Sequence, residues 1–264
     1  MRTRVAWLAV VVAVLVSSCS GGSRVGAPPP PPSPSSVTVP AGPTTTVHSA
    51  AKVTPTPRNT VLVARATAAS VLVFADPTAR LPFLTLPNPW LVNGDAADPV
   101  PQVFLVRQQR SDGWVQVLLP VRPNGSLGWV RSDALQLFAD PYALDVSVSA
   151  HTIQVRDGTS VVYQGPVAVG APATPTPTGD YYVRVLLRST DPTSVYGPFA
   201  YGLSAHSDAL TTFAGGDAEV GVHGNNDASA LGRSVTHGCV RMDNAEITAL
   251  SGLLPLGTPV HTVA

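Results

Sequence analysis

From Thr60 to Leu137 the apolar residues arrive in short bursts: "TVLVARA" (60–66), "SVLVFAD" (70–76), "QVFLVRQ" (102–108), "WVQVLLPV" (114–121) and "LGWVRSDALQL" (127–137). Runs this short, rich in Val, Leu and aromatic residues, predict strands. Turn signals separate them at Asp76-Pro77, Asn93-Gly94-Asp95, Ser111-Asp112-Gly113 and Pro123-Asn124-Gly125-Ser126, so five strands of this kind predict a small barrel or sandwich. Beyond Tyr142, "ALDVSVSAHTIQVRDG" (143–158) and "SVVYQGPVAVG" (160–170) alternate apolar and polar residues at period two. They predict two long strands joined as a hairpin at Arg156–Ser160, with His151 inside the first strand in a structural or exposed role. A proline-punctuated loop from Ala171 leads into a strand at "DYYVRVLL" (180–187); "AEVGVHG" (218–224) predicts a strand ending at His223, and "GTPVHTV" (257–263) a closing strand, in which His261 has no partner evident in sequence. Helical character is confined to "DNAEITALSGLLPLG" (243–257), with Asp243 or Asn244 as cap, Glu246 in the first turn and Leu250, Leu253 and Leu254 as the apolar face. The fold class is all-β, with one or two short helices.

The N-terminus follows another pattern. Arg2 and Arg4 precede a short apolar run, "VAWLAVVVAVLV" (5–16), then Ser17, Ser18 and Cys19. The run is too short for a spanning helix and has the anatomy of an export signal. "LVSSC" resembles the lipobox of bacterial lipoproteins, with Val16 where leucine is commonest; that resemblance implies lipidation of Cys19 as the first residue of the mature chain, and so a membrane anchor. Residues 20–57 are dominated by Pro, Ser and Thr, include Pro28–Pro32, and lack any aromatic residue. Such a segment cannot bury a core and favours extended polyproline conformation; it reads as a spacer in which His48 is solvated. The organisation expected is therefore a lipoprotein signal at 1–19, a linker at 20–57, a small β domain at 58–140 and a second β domain at 141–264, on an exported chain held at the cell membrane and facing the wall or periplasmic space.

Composition removes some functions. Lys plus Arg and Asp plus Glu number 16 each, and only 12% of residues are charged, so no basic patch for nucleic acid and no charged tail is expected. Two cysteines are present. If Cys19 carries lipid, Cys239 is an unpaired thiol in an exported protein. It lies in "THGCVRM" (236–242), downstream of "HGN" (223–225). Cysteine catalysis requires a base within hydrogen-bond reach, an acceptor that orients that base, and donors where negative charge develops. His237, two residues from Cys239, shares its face if the stretch is extended; His223, on a separate strand, can face the thiol across the fold. A zinc site from His206, His223, His237 and Cys239 is disfavoured, because His237-x-Cys239 is not the usual structural-zinc spacing and no second cysteine joins it. No metal or cofactor is expected.

"HGN…THGCVRM" resembles the signature of the L,D-transpeptidase (YkuD) catalytic domain, and the resemblance extends over about Leu144–Val263, with "TPTPTGDYYV" (174–183) similar to the family's proline-rich run before a strand. It implies a YkuD-type β-sandwich with Cys239 as acyl-accepting nucleophile, His223 as base and the Gly224 carbonyl orienting the imidazole. Thr236, His237, Gly238 and the Cys239 amide would surround the oxyanion and substrate site. Arg241 would hold a peptide carboxylate or pair locally. Thr236 replaces the commoner serine and Glu246 stands where aspartate is frequent; neither change removes a catalytic group. The stretch 112–137 resembles a bacterial SH3-like barrel, with Trp114 and Trp129 expected in its core. The activity implied is direct cross-linking of peptidoglycan stem peptides through a Cys239 thioester with release of D-alanine, and acylation of Cys239 by carbapenem-type inhibitors. An L,D-carboxypeptidase and a non-catalytic wall-binding lipoprotein remain alternatives. The bias towards Ala, Val, Pro and Arg fits a high-GC, actinobacterial-type genome.

Overall fold

A computed structural model describes residues 60–92 and 98–264. Cys19, the export segment, the spacer and the turn expected at Asn93–Asp95 lie outside the described residues. The architecture is mainly β. The first half runs β1 (Val61–Ala66), β2 (Ser70–Val73), β3 (Leu84–Pro87), β4 (Trp90–Leu91), β5 (Pro99–Val100), β6 (Val103–Gln109), β7 (Trp114–Leu118), β8 (Leu127–Arg131) and β9 (Leu135–Asp140). The second runs β10 (Tyr142–Ser147), β11 (Thr152–Asp157), β12 (Ser160–Pro166), β13 (Val169–Gly170), β14 (Gly179–Arg188), β15 (Phe199–His206), β16 (Glu219–His223), β17 (Ser234–Thr236), β18 (Val240–Arg241), helix α1 (Asn244–Ser251) and β19 (Pro259–Val263).

A five-stranded sheet takes the order β8-β7-β6-β1-β9, and an eight-stranded sheet the order β12-β11-β10-β19-β14-β15-β16-β18. Val63, Val71, Phe104, Val117 and Val130 fill the core of the first, and Leu144, Ile153, Tyr201, Val222, Met242 and Ile247 that of the second. Fully burying side chains of this kind contributes about 1.5–3 kcal/mol each. β14 serves both cores. Successive residues of a strand face opposite ways, so Tyr181 enters the second core while Tyr182 enters the first.

Several expectations change. The segment 127–137 is not one strand: a 3-10 turn at Ser132–Ala134 breaks it, because β8 lies at one edge of the sheet and β9 beside β1 at the other. The long strand expected over 143–158 is itself the hairpin of β10 and β11; His151 sits in its turn at φ 53°, with Nε2 2.9 Å from the Ser234 hydroxyl. Two arms that both alternate read in sequence as one strand. The stretch 160–170 likewise divides into β12 and β13. Helix α1 stops at Ser251, capped by Asp243, whose carboxylate accepts from the Ala245 N–H at 2.8 Å. Its buried face is Ile247 and Leu250, whereas Leu253 is exposed beyond its end. β15 was not legible in "FAYGLSAH", whose small residues give little strand signal. Trp129 is buried, but Trp114 is half-exposed, held edge-on by Phe74 at 5.2 Å and under the Arg131 guanidinium at 5.0 Å. His261 does have a partner: its Nδ1 lies 2.6 Å from an Asp180 carboxylate oxygen.

Candidate active site

The site grows from the parallel pairing of β16 and β18, in which Val222 stands beside Val240 and His223 beside Arg241. The residue preceding β18 therefore comes level with Gly221. That residue is Cys239, and its Sγ accepts the Gly221 N–H at 3.4 Å. His223 lies on the same strand two residues further on. Both line one cavity with Tyr196, Phe213, His237 and Arg241. Cys239 is half-buried and forms no disulfide among the described residues, while His223 is only 3% exposed.

The turn carrying the thiol is held from two sides. Thr236 is buried; its hydroxyl donates to the Cys239 carbonyl at 2.6 Å and accepts the Gly238 N–H at 3.1 Å. Gly238 has φ +120°, a conformation available to glycine at little cost. Thr174 Oγ1 donates to the Thr236 carbonyl at 3.0 Å. Thr176 Oγ1 donates to the Gly238 carbonyl at 2.9 Å and accepts the Gly170 N–H at 2.8 Å. The stretch is thus a turn and not an extended strand, so His237 and Cys239 reach the cavity by different routes. His237 is exposed, its ring 5.2 Å from that of Phe213.

His223 is held as firmly. Nδ1 of His223 lies 2.7 Å from the Gly224 carbonyl. A carbonyl can only accept, so Nδ1 carries the proton and Nε2 keeps its lone pair. Burial, aided by the positive charge of Arg241 and opposed by the Gly224 carbonyl, lowers the pKa of His223 to about 4. The imidazole is neutral near pH 7. Burial raises the Cys239 pKa, against the opposing pull of the Gly221 N–H and Arg241. The resting pair is therefore a neutral thiol and a neutral imidazole. Arg241 lines the cavity, and its Nε is buried with no hydrogen-bond partner among the described residues.

Beneath Gly224 two asparagines pair: the Asn244 side chain accepts the Asn225 N–H at 2.8 Å and donates to the Asn225 carbonyl at 2.9 Å. Asn225 Nδ2 donates to the Met242 carbonyl at 2.6 Å. This joins the end of β16 to the start of α1, next to the Gly224 carbonyl that orients the His223 ring. A groove of about 760 Å³ leads from Cys239 and His223 past Gly221 and Glu219 to Trp90. The Trp90 ring lies under the Arg184 guanidinium at 3.8 Å.

The structure brings Cys239, His223, Thr236, His237 and Arg241 to one cavity, with Gly224 and Gly238 bonded to its members. His206 lies apart; its Nε2 is 3.2 Å from an Asp217 carboxylate oxygen. Among the described residues no group of three or more His, Cys, Asp or Glu could hold a metal ion. Sequence reasoning missed Thr174, Thr176, Asn225, Asn244 and Gly221. The alternating threonines of "TPTPT" were visible, but their partner sixty residues away was not; the asparagines carried no signal.

A family profile for the L,D-transpeptidase catalytic domain (YkuD) matches residues 141–262. The YkuD protein of Bacillus subtilis (strain 168) is 32% identical over 149 residues, 54% of this chain and 82% of that protein. Its counterpart in Bacillus licheniformis is 30% identical over 120 residues, 46% of this chain and 64% of that protein. Among solved structures, L,D-transpeptidase 3 from Mycobacterium tuberculosis in complex with a faropenem-derived adduct shares 19% identity over 55% of this chain and 76% of that one, at a TM-score of 0.38.

Proposed function

We propose that this chain, which belongs to the L,D-transpeptidase (YkuD) family, transfers acyl groups between peptidoglycan stem peptides through a thioester on Cys239. The observation that carries the mechanism is the 2.7 Å contact between His223 Nδ1 and the Gly224 carbonyl. It leaves a basic Nε2 on a buried, neutral ring that lines the same cavity as the thiol. The Cys239 proton passes to Nε2 as sulfur attacks the carbonyl joining the third, diamino acid residue of a stem tetrapeptide to its terminal D-alanine. The oxyanion is met by the Cys239 N–H; the Gly238 N–H is engaged by Thr236. The imidazolium returns its proton to the departing D-alanine amine, and the thioester remains. The side-chain amine of a second stem attacks the thioester, loses a proton to His223, and the thiol is regenerated as a new amide forms. Arg241, whose Nε has no hydrogen-bond partner among the described residues, holds a peptide carboxylate.

The same reading makes the chain an exported lipoprotein, tethered through Cys19 and raised towards the wall by the proline-rich spacer, with an SH3-like barrel ahead of the catalytic part. Carbapenem-type inhibitors acylate Cys239. The test is intact mass of residues 58–264 after incubation with a carbapenem. One adduct is expected on the native chain, none on Cys239→Ala, and slow formation on His223→Ala. Stem tetrapeptides then give cross-linked dimer; tripeptide alone means an L,D-carboxypeptidase. A thiol that reacts with alkylating agents but takes no acyl group leaves the wall-binding lipoprotein.

A further inference from the structure

The segment 207–218 joins β15 to β16 and has almost no buried side chains between Ser207 and Ala218. Its backbone is tightly bent, with φ 49° at Ala214, 84° at Gly215 and 49° at Ala218, and Phe213 and Gly216 exchange backbone hydrogen bonds at 3.1 and 2.9 Å. Apolar packing does not order such a loop. Its tip nevertheless reaches the reacting groups: Phe213 lines the cavity with Cys239 and stacks near His237.

What orders it is the turn between β7 and β8, in the five-stranded sheet. Arg122 donates to three loop carbonyls, Ser207 at 2.7 Å, Leu210 at 3.0 Å and Asp217 at 3.0 Å, and its Nε lies 3.5 Å from the Asp217 carboxylate. These partners are the two ends and the middle of the loop. A planar guanidinium with five donors can span them; an ammonium cannot. Asn124 adds a strand-like pair: it donates to the His206 carbonyl at 2.7 Å and accepts the His206 N–H at 2.9 Å. Arg122 itself does not line the cavity.

We propose that Arg122 is a positioning residue for acyl transfer, which acts from the first β sheet by clamping the 207–218 loop so that Phe213 is held over His237 and Cys239. This rests on the reading of the site given above and assigns the first β sheet a part in setting the active site.

The experiment compares the native chain with Arg122→Ala, Arg122→Lys, Phe213→Ala and Arg122→Ala/Phe213→Ala, by carbapenem acylation rate and by amide hydrogen exchange over 208–217. Arg122→Ala is expected to slow acylation by about tenfold, because small misplacement of groups at a reacting centre is costly. Arg122→Lys is expected not to restore the rate, and provides the test should Arg122→Ala fail to fold. If Arg122 acts through Phe213, the double variant is no slower than Phe213→Ala; rates that multiply mean independent effects and overturn the proposal. Loop exchange is expected to quicken in both Arg122 variants, and unchanged exchange overturns the clamp whether or not the protein is an acyltransferase. A native chain that takes no acyl group refutes the functional reading instead, and with it the catalytic consequence of the clamp.

Discussion

The Thr176 hydroxyl donates to the Gly238 carbonyl at 2.9 Å across 62 residues of sequence. A proline-punctuated loop thereby holds the peptide that immediately precedes Cys239. The hydroxyl also accepts the Gly170 N–H, so one buried side chain ties three segments together. Thr176→Val keeps the volume and leaves both backbone groups unsatisfied. It is expected to cost about 1–3 kcal/mol of stability, measured by urea unfolding, and to slow acylation of Cys239. A variant with native stability and native rate would mean that Thr174 and Thr236 suffice to hold the turn.

Gly224 has no room for a side chain. A Cβ there would lie 2.2 Å from the Asn244 Oδ1 and 3.0 Å from the Gly197 Cα. Gly224→Ala must displace either the Asn225–Asn244 pair or the carbonyl that fixes the His223 tautomer. Acylation is expected to fall by about a hundredfold, the scale at which a shift near 1 Å disrupts a reacting geometry. The check is adduct formation followed by mass, alongside alkylation of the thiol to show that it is still reachable.

The pH dependence follows from the buried imidazole of His223. In the unfolded chain a histidine titrates near 6.5, whereas burial brings His223 to about 4 in the fold. Between those values the unfolded state binds the extra proton. The contribution of His223 is therefore fully present above pH 6.5, declines as pH falls towards 4, and changes no further below that. The total loss is about 3 kcal/mol, to be read from urea midpoints across this range. Acylation depends on the neutral ring, so its rate is expected to show no inflection near 6.5 between about pH 5 and pH 8. An inflection at 6.5 would mean that the buried His223 is not the base.

Tyr182 is fully buried, and its hydroxyl has no hydrogen-bond partner among the described residues. Burial, opposed by the positive charge of Arg184 and aided by the negative charge of Glu219, raises its pKa far above the usual tyrosine value. Tyr182→Phe removes that polar group and keeps the ring that fills the first core. Stability is expected to rise by about 1 kcal/mol, seen as a higher urea midpoint with an unchanged slope. A lower midpoint would show that the hydroxyl is satisfied in solution by water.

Most individual strands were legible because their pattern is local. Val63 and Val71 are fully buried within runs that alternate or cluster as strands must, and Asp243 caps the helix as its position ahead of Glu246 suggested. The chemistry was legible too, because a thiol, two histidines and three glycines fall close together in "HGN…THGC". Sequence alone therefore determined the all-β class and the candidate groups. It did not determine where strands end when the pattern continues through a turn, as at His151 and at Ser132–Ala134. Nor did it reveal β15, whose small residues are buried by neighbours on both sides. Tertiary structure decided what faces the thiol. The parallel register of β16 and β18 sets Cys239 beside Gly221 and brings His223 to the same cavity. Thr176 and Asn244 joined the site through partners 62 and 19 residues away, and Arg122 reaches the 207–218 loop across up to 95 residues. Hydrophobic periodicity reports which face of an element is buried; a hydrogen bond between distant segments leaves no period in the chain, and exists only once the sheets bring those segments together.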